Sequence, residues 1–177
     1  MGAKLRISLE KTSFWVNNCK KKVKVLRGIR KSYKFVALFM NVERINEIIN
    51  ARPNLSTALG MEFISTPEED TCLARMKVDE RNRQPFGFLS GGASLALAEN
   101  VAGVGSSSLC PGCACVGIEV SGSHVKAVAE GDTVTAYARL LHRGTTLHVW
   151  NVDIRDTSGE LISSVRVTNY VIQSKKK

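Results

Sequence analysis

Across positions 84–118 the chain carries one charged side chain, Glu99. It lies within Gly91-Gly-Ala-Ser-Leu-Ala-Leu-Ala-Glu-Asn-Val-Ala-Gly-Val104, which is apolar nearly all round and predicts a buried helix. A carboxylate in such a place costs several kcal/mol unless it is paired or neutralised. One reading puts Glu99 at an exposed edge of the helix or at a subunit contact. The other has burial raise its pKa and nucleophilicity, as catalytic carboxylates require. Gly91 and Gly92 open the same helix about two turns earlier, on the order of 12 Å along the axis. N–H groups at a helix N-terminus lack intrahelical acceptors, and glycine lets a carbonyl approach the backbone closely. Donors of this kind, aimed at a developing oxyanion, suit acyl transfer. Upstream, Gln84 is a neutral amide able to orient a carboxylate or a water, or else a solvated loop glutamine.

Other nucleophiles fit less well. Ser90 does not sit in a Gly-x-Ser-x-Gly elbow, because position 88 is Phe. His124, His142 and His148 fall on predicted strands without metal-ligand spacing and read as structural or surface residues. The five cysteines are odd in number, and reduced thiols are the expectation for a chain that can build a core without staples. Cys110-Pro-Gly-Cys113-Ala-Cys115 invites a zinc or redox reading, but zinc needs a second ligand pair at matching distance. That cluster therefore reads as a loop, and no metal site is expected. The Gly-rich stretch 103–113 lacks a Gly-Lys-Ser/Thr and a preceding strand, so a flexible connection after the helix is expected.

The elements that must position these residues follow from periodicity. From Met40, helical spacing of Val42, Ile45, Ile48 and Ile49 predicts a helix ended by Pro53. Cys72, Ala74, Met76 and Val78 alternate with polar residues over 71–79, a half-buried strand, and a shorter strand around Met61–Ser65 precedes it. After the apolar helix come strands near 115–123, 132–142, 146–156 and 161–172, with Gly131-Asp132, Arg143-Gly144 and Ser158-Gly159 as turns. The order β-β-α-β-β-β-β predicts an α+β fold, one central helix against an antiparallel sheet.

The net charge of +9 belongs to one segment. Residues 1–39 hold eleven basic residues and one acid, whereas residues 40–177 hold fourteen and fifteen. A domain over 40–177 is therefore near neutral, and its composition is neither disordered nor membrane-embedded. The basic extension admits three readings: a nucleic-acid arm, an organellar presequence, or sequence upstream of a natural start at Met40. The last is expected, because the helical pattern and the charge balance both begin there. The apolar run Phe35–Met40 is too short to span a bilayer, and no secretory signal is expected.

Arg83-Gln-Pro-Phe-Gly-Phe-Leu-Ser-Gly-Gly-Ala-Ser-Leu-Ala-Leu-Ala-Glu99 resembles the Q-P-F-G-x-L-H-G-G-A-S-x-x-L-A-E motif of hotdog-fold PaaI-like acyl-CoA thioesterases, the group that includes 1,4-dihydroxy-2-naphthoyl-CoA hydrolases of menaquinone biosynthesis. Val116-Gly-Ile-Glu-Val with Ser123-His124, then the stretch from His142 to Asn169, extend the resemblance over about Met40 to Ile172. It implies a hotdog fold, a long central helix wrapped by an antiparallel sheet, assembled as homodimers or homotetramers with active sites at the dimer interface. It implies a cytoplasmic hydrolase that takes an aromatic acyl-CoA to free acid and CoA without a cofactor. An acyl-CoA-binding protein with weak hydrolysis and a medium-chain thioesterase are the alternatives. Neither membrane nor nucleic acid is expected as a partner. In this resemblance Glu99 is nucleophile or general base, Gly91 N–H polarises the thioester carbonyl, and Gln84 and Ser90 assist. Gly92, Phe86, His124 and Arg143 are expected at the substrate. Three positions depart from the pattern: Ser90 replaces the motif's histidine, Gly103 replaces a small hydroxyl residue one turn after the glutamate, and Thr145 replaces an arginine available to CoA phosphates.

Overall fold

The computed structural model describes residues 40–173. The basic extension, with its proposed boundary at Met40, lies outside them. Helix α1 spans Glu43–Asn50 and helix α2 Leu55–Leu59. Strands β1, Met61–Ile64, and β2, Thr71–Lys77, follow. Helix α3 covers Gly91–Leu109. Strands β3, Ala114–His124, β4, Thr133–Arg143, β5, Leu147–Arg155, and β6, Leu161–Ile172, complete the order. All six strands form one sheet in the order β1-β2-β4-β5-β6-β3, and every pairing is antiparallel. The expected α+β architecture is present, with α3 touching each strand.

The alternation read over 71–79 is realised: Cys72, Ala74, Met76 and Val78 are buried. They face Leu97, Ala98, Val101 and Ala102 of α3, while Val134, Ala136, Trp150, Val152, Val165 and Val167 supply the rest of the core. Small residues on α3 allow close helix–sheet approach. A methyl group on Gly105 would stand 2.6 Å from the Trp150 ring. Beside it the Trp150 indole N–H donates to the Ser106 hydroxyl at 2.9 Å, and the Asn169 amide donates to the same oxygen at 3.0 Å.

This packing corrects the expectation for 103–113. The helix continues through Gly103 and Gly105 to Leu109, because the sheet satisfies Ser106 and Trp150 fills the space at Gly105. Tertiary contact outweighs the low helix propensity of glycine here. The first helix begins at Glu43, and Met40 instead exchanges backbone hydrogen bonds with Thr66 at 3.0 and 3.1 Å. Helix α2 is absent from the periodicity reading. An Asn54–Thr57 capping box starts it and the left-handed Gly60, φ 69°, ends it. The expectation of reduced thiols is also corrected at one pair. The turn at Gly112 carries Cys110 and Cys113 to a Cα separation of 5.6 Å, and their sulfurs are bonded as a disulfide. Cys72 and Cys115 remain free. No helix among the described residues is long and apolar enough to cross a membrane.

Candidate active site

The chain enters α3 through a constrained loop. Gln84 N–H donates to Phe88 O at 2.7 Å, Gly87 N–H returns to Gln84 O at 3.0 Å, and the Gln84 side-chain oxygen accepts from Phe86 N–H at 3.3 Å. Ser90 is held by its own N–H donating to Asn82 O at 2.9 Å, and its hydroxyl caps nothing. Ser94 is the first helical residue to donate backward, to Ser90 O at 3.1 Å. The N–H groups of Gly91, Gly92 and Ala93 therefore lack backbone acceptors among the described residues, and the helix dipole adds positive potential there.

A cleft of about 320 Å³ opens beside these donors, lined by Gln84, Gly91, Ser94, His124, Lys126 and Ser163. His124 Nδ1 and the buried Ser163 hydroxyl lie 2.9 Å apart in a hydrogen bond. Its Nε2 edge lies against Gly91, 2.8 Å from where a Cβ would stand. The missing side chain at Gly91 thus makes room for the imidazole. Lys126 Nζ pairs with Asp156 at 2.9 Å and with Glu160. Lys126 and Ser163 were not singled out from the sequence. Ser163 reaches His124 only through the β3–β6 register, which local patterns do not reveal.

Glu99 faces a second cleft of about 470 Å³, formed by α1, α2, the middle of α3 and the start of β3. The carboxylate is half-buried rather than enclosed, and no ion pair among the described residues involves it. Gly117 of β3 presses against it, and Gly103, Ser107, Cys115 and Asn169 share the cleft. Burial pushes the Cys115 thiol up, and Cys72, fully enclosed, is raised to about 12, so neither thiol is a ready nucleophile. Among the described residues no group of three His, Cys, Asp or Glu side chains could hold a metal.

Within one chain, then, Gln84, Gly91 and His124 share one cleft and Glu99 faces another. Ser90 is half-buried at the helix start, and Gly92 is exposed beside it. Phe86 is 82% exposed and lines neither cleft. Arg143 lies at the far end of α3, donating to Leu109 O at 3.0 Å and pairing with Glu69 at 3.8 Å. β3 is one of the sheet's two edge strands, opposite β1. It presents Val116 and Ile118 at 44% and 58% exposure, an apolar edge suited to strand pairing.

The family profile described as the Thioesterase superfamily matches residues 86–163. The chain is 39% identical over 105 residues to the 1,4-dihydroxy-2-naphthoyl-CoA hydrolase of Escherichia coli (strain K12), covering 59% of this chain and 76% of that protein. It is 33% identical over 123 residues to the protein of the same name from Listeria monocytogenes serotype 1/2a (strain 10403S), covering 69% of this chain and 98% of the other. Among solved structures, a thioesterase from Haemophilus influenzae superposes with a TM-score of 0.70 at 33% identity, over 78% of this chain and 97% of that one.

Proposed function

The chain belongs to the thioesterase superfamily of hotdog-fold hydrolases, and from that premise we propose that it hydrolyses an aromatic acyl-CoA, with 1,4-dihydroxy-2-naphthoyl-CoA as the first candidate. The observation that carries the reading is the start of α3, where the Gly91 N–H, without a backbone acceptor among the described residues, borders a cleft. The thioester oxygen takes the Gly91 N–H, and preorganised backbone donors stabilise the negative charge that develops there. Gln84 and His124, on the same cleft, orient the thioester, with Ser90, Gly92, Phe86 and Arg143 as further substrate contacts.

Glu99 supplies the carboxylate, as nucleophile on the carbonyl carbon or as base for the attacking water. Either way a C–O bond forms, the C–S bond breaks, and CoA leaves as a thiolate that takes up a proton; on the nucleophilic route water then cleaves the Glu99 anhydride to release the acid and restore the carboxylate. Because Glu99 and Gly91 face different clefts of one chain, the reading requires a second protomer whose Glu99 completes the first protomer's site. The apolar β3 edge supports such a partner, and the enzyme is taken as a cytoplasmic homotetramer of two such dimers. The named activity of the Escherichia coli and Listeria relatives supports the choice of acyl group.

The test is thiol release by the full chain from dihydroxynaphthoyl-, benzoyl- and octanoyl-CoA. The reading predicts kcat/KM at least about tenfold higher for an aryl substrate. A preference for octanoyl-CoA would overturn the substrate class. Tight acyl-CoA binding without thiol release would replace hydrolysis by a binding role.

A further inference from the structure

We infer that Gly117 is a positioning residue for Glu99: the missing side chain on β3 at this point sets where the carboxylate rests. The inference builds on the hydrolytic reading above, in which Glu99 does the chemistry. Gly117 lies within β3, paired with Asn169 of β6, directly before the register shift between Gly117 and Glu119. It is not among the glycines with positive φ, so its backbone would accept any residue. Glycine inside a strand weakens it and often marks a close approach. Here the approaching group is Glu99. A Cβ on Gly117 would overlap Glu99 Oε1 and stand 3.1 and 3.2 Å from Cδ and Cγ, and these three atoms are its nearest neighbours.

Two features make this steric contact decisive for position. Glu99 takes part in no ion pair among the described residues, so shape rather than a fixed charge partner holds the carboxylate. One helical turn on, Gly103 has nothing within 4 Å of its Cβ position. A carboxylate pushed off Gly117 therefore has room to move. A methyl group at position 117 meets the movable end of a side chain rather than backbone, so the fold tolerates it while the carboxylate is displaced. A misplacement of about 1 Å in a reacting group can cost on the order of 100-fold in rate.

The experiment is steady-state kinetics of full-chain Gly117→Ala, Glu99→Ala and the double variant on the best acyl-CoA substrate, with Tm for each. For Gly117→Ala the expected result is a kcat lower by about 10- to 100-fold, with KM within about twofold and Tm within about 2 °C. In the Glu99→Ala background the added methyl should have less than about a twofold effect, because the group it displaces is gone. An unchanged kcat, an equal loss in both backgrounds, or a collapse of Tm in Gly117→Ala would each overturn the inference. Full activity in Glu99→Ala would overturn the hydrolytic reading and this inference together. A dead Glu99→Ala beside a fully active Gly117→Ala would overturn this inference alone.

Discussion

Glu99 shows how a single residue can be read from sequence and still be half understood. Its isolation among uncharged neighbours marked it, because an apolar helix has no structural need of a carboxylate. What surrounds it was not legible. Gly117 and Asn169 reach the cleft through β3–β6 pairing, and the periodicity of either strand says nothing about its neighbour. The same holds for His124, whose hydrogen bond to Ser163 spans 39 positions. Gly103 offers a direct test at this scale. Its Cβ position is open and it borders the Glu99 cleft, so Gly103→Ser should fold normally and place a hydroxyl beside the carboxylate. Thiol-release kinetics should show kcat raised by up to about tenfold, the scale of one added transition-state hydrogen bond. A lowered kcat at unchanged Tm would argue against water positioning from this turn.

At the level of elements, helix α3 shows where local propensity stops being informative. Glycines at 103 and 105 read as a break, yet the helix runs on because Gly105 seats against Trp150 and Ser106 is shared by Trp150 and Asn169. The strands, by contrast, were legible nearly to their ends, since alternating burial fixes which face each residue shows. Gly105→Ala would drive a methyl into an enclosed ring and should lower stability by roughly 1–3 kcal/mol, read as an earlier urea midpoint. A Tm unchanged by that substitution would mean the helix end packs loosely.

His148, 3% exposed on β5, makes a pH prediction at the same scale. Burial, then the charge of Arg143, holds its imidazole below the ordinary value of 6.5. The folded chain therefore favours the neutral ring, and the unfolded chain takes up a proton first as pH falls. The contribution is full above about pH 6.5 and is lost below it. Tm should fall as pH drops below about 6.5, and His148→Gln should flatten that difference. An equally steep fall in the variant would assign the effect to other groups.

For the whole molecule, the sheet order puts β3 at the edge beside β6, separated in the sheet from β2 and β4. Sequence order does not show this, because β3 must cross to pair with the last strand. The arrangement leaves the eleven-residue β3 at an edge, with Val116 and Ile118 exposed, and the proposed site divides between two clefts. Assembly and activity should then fail together. Ile118→Asp, a charge on the exposed edge, should halve the mass seen by light scattering at low concentration and reduce kcat/KM by at least about 100-fold. Full activity in that half-mass species would contradict a shared site.

The central claim is that Glu99 of one protomer acts on a thioester held at Gly91 of another. Its most direct measurement mixes two inactive variants, Glu99→Ala and Gly91→Pro, the second of which removes the polarising N–H at the first helical position and crowds His124 in the same cleft, so that it disables that chain's cleft alone. After subunit exchange, each mixed dimer should contain one site with both defects and one with neither. The account predicts recovery of roughly a quarter of the wild-type rate, from the random pairing of subunits in a two-fold dimer. No recovery after verified exchange would place both groups in the same chain's site and contradict it.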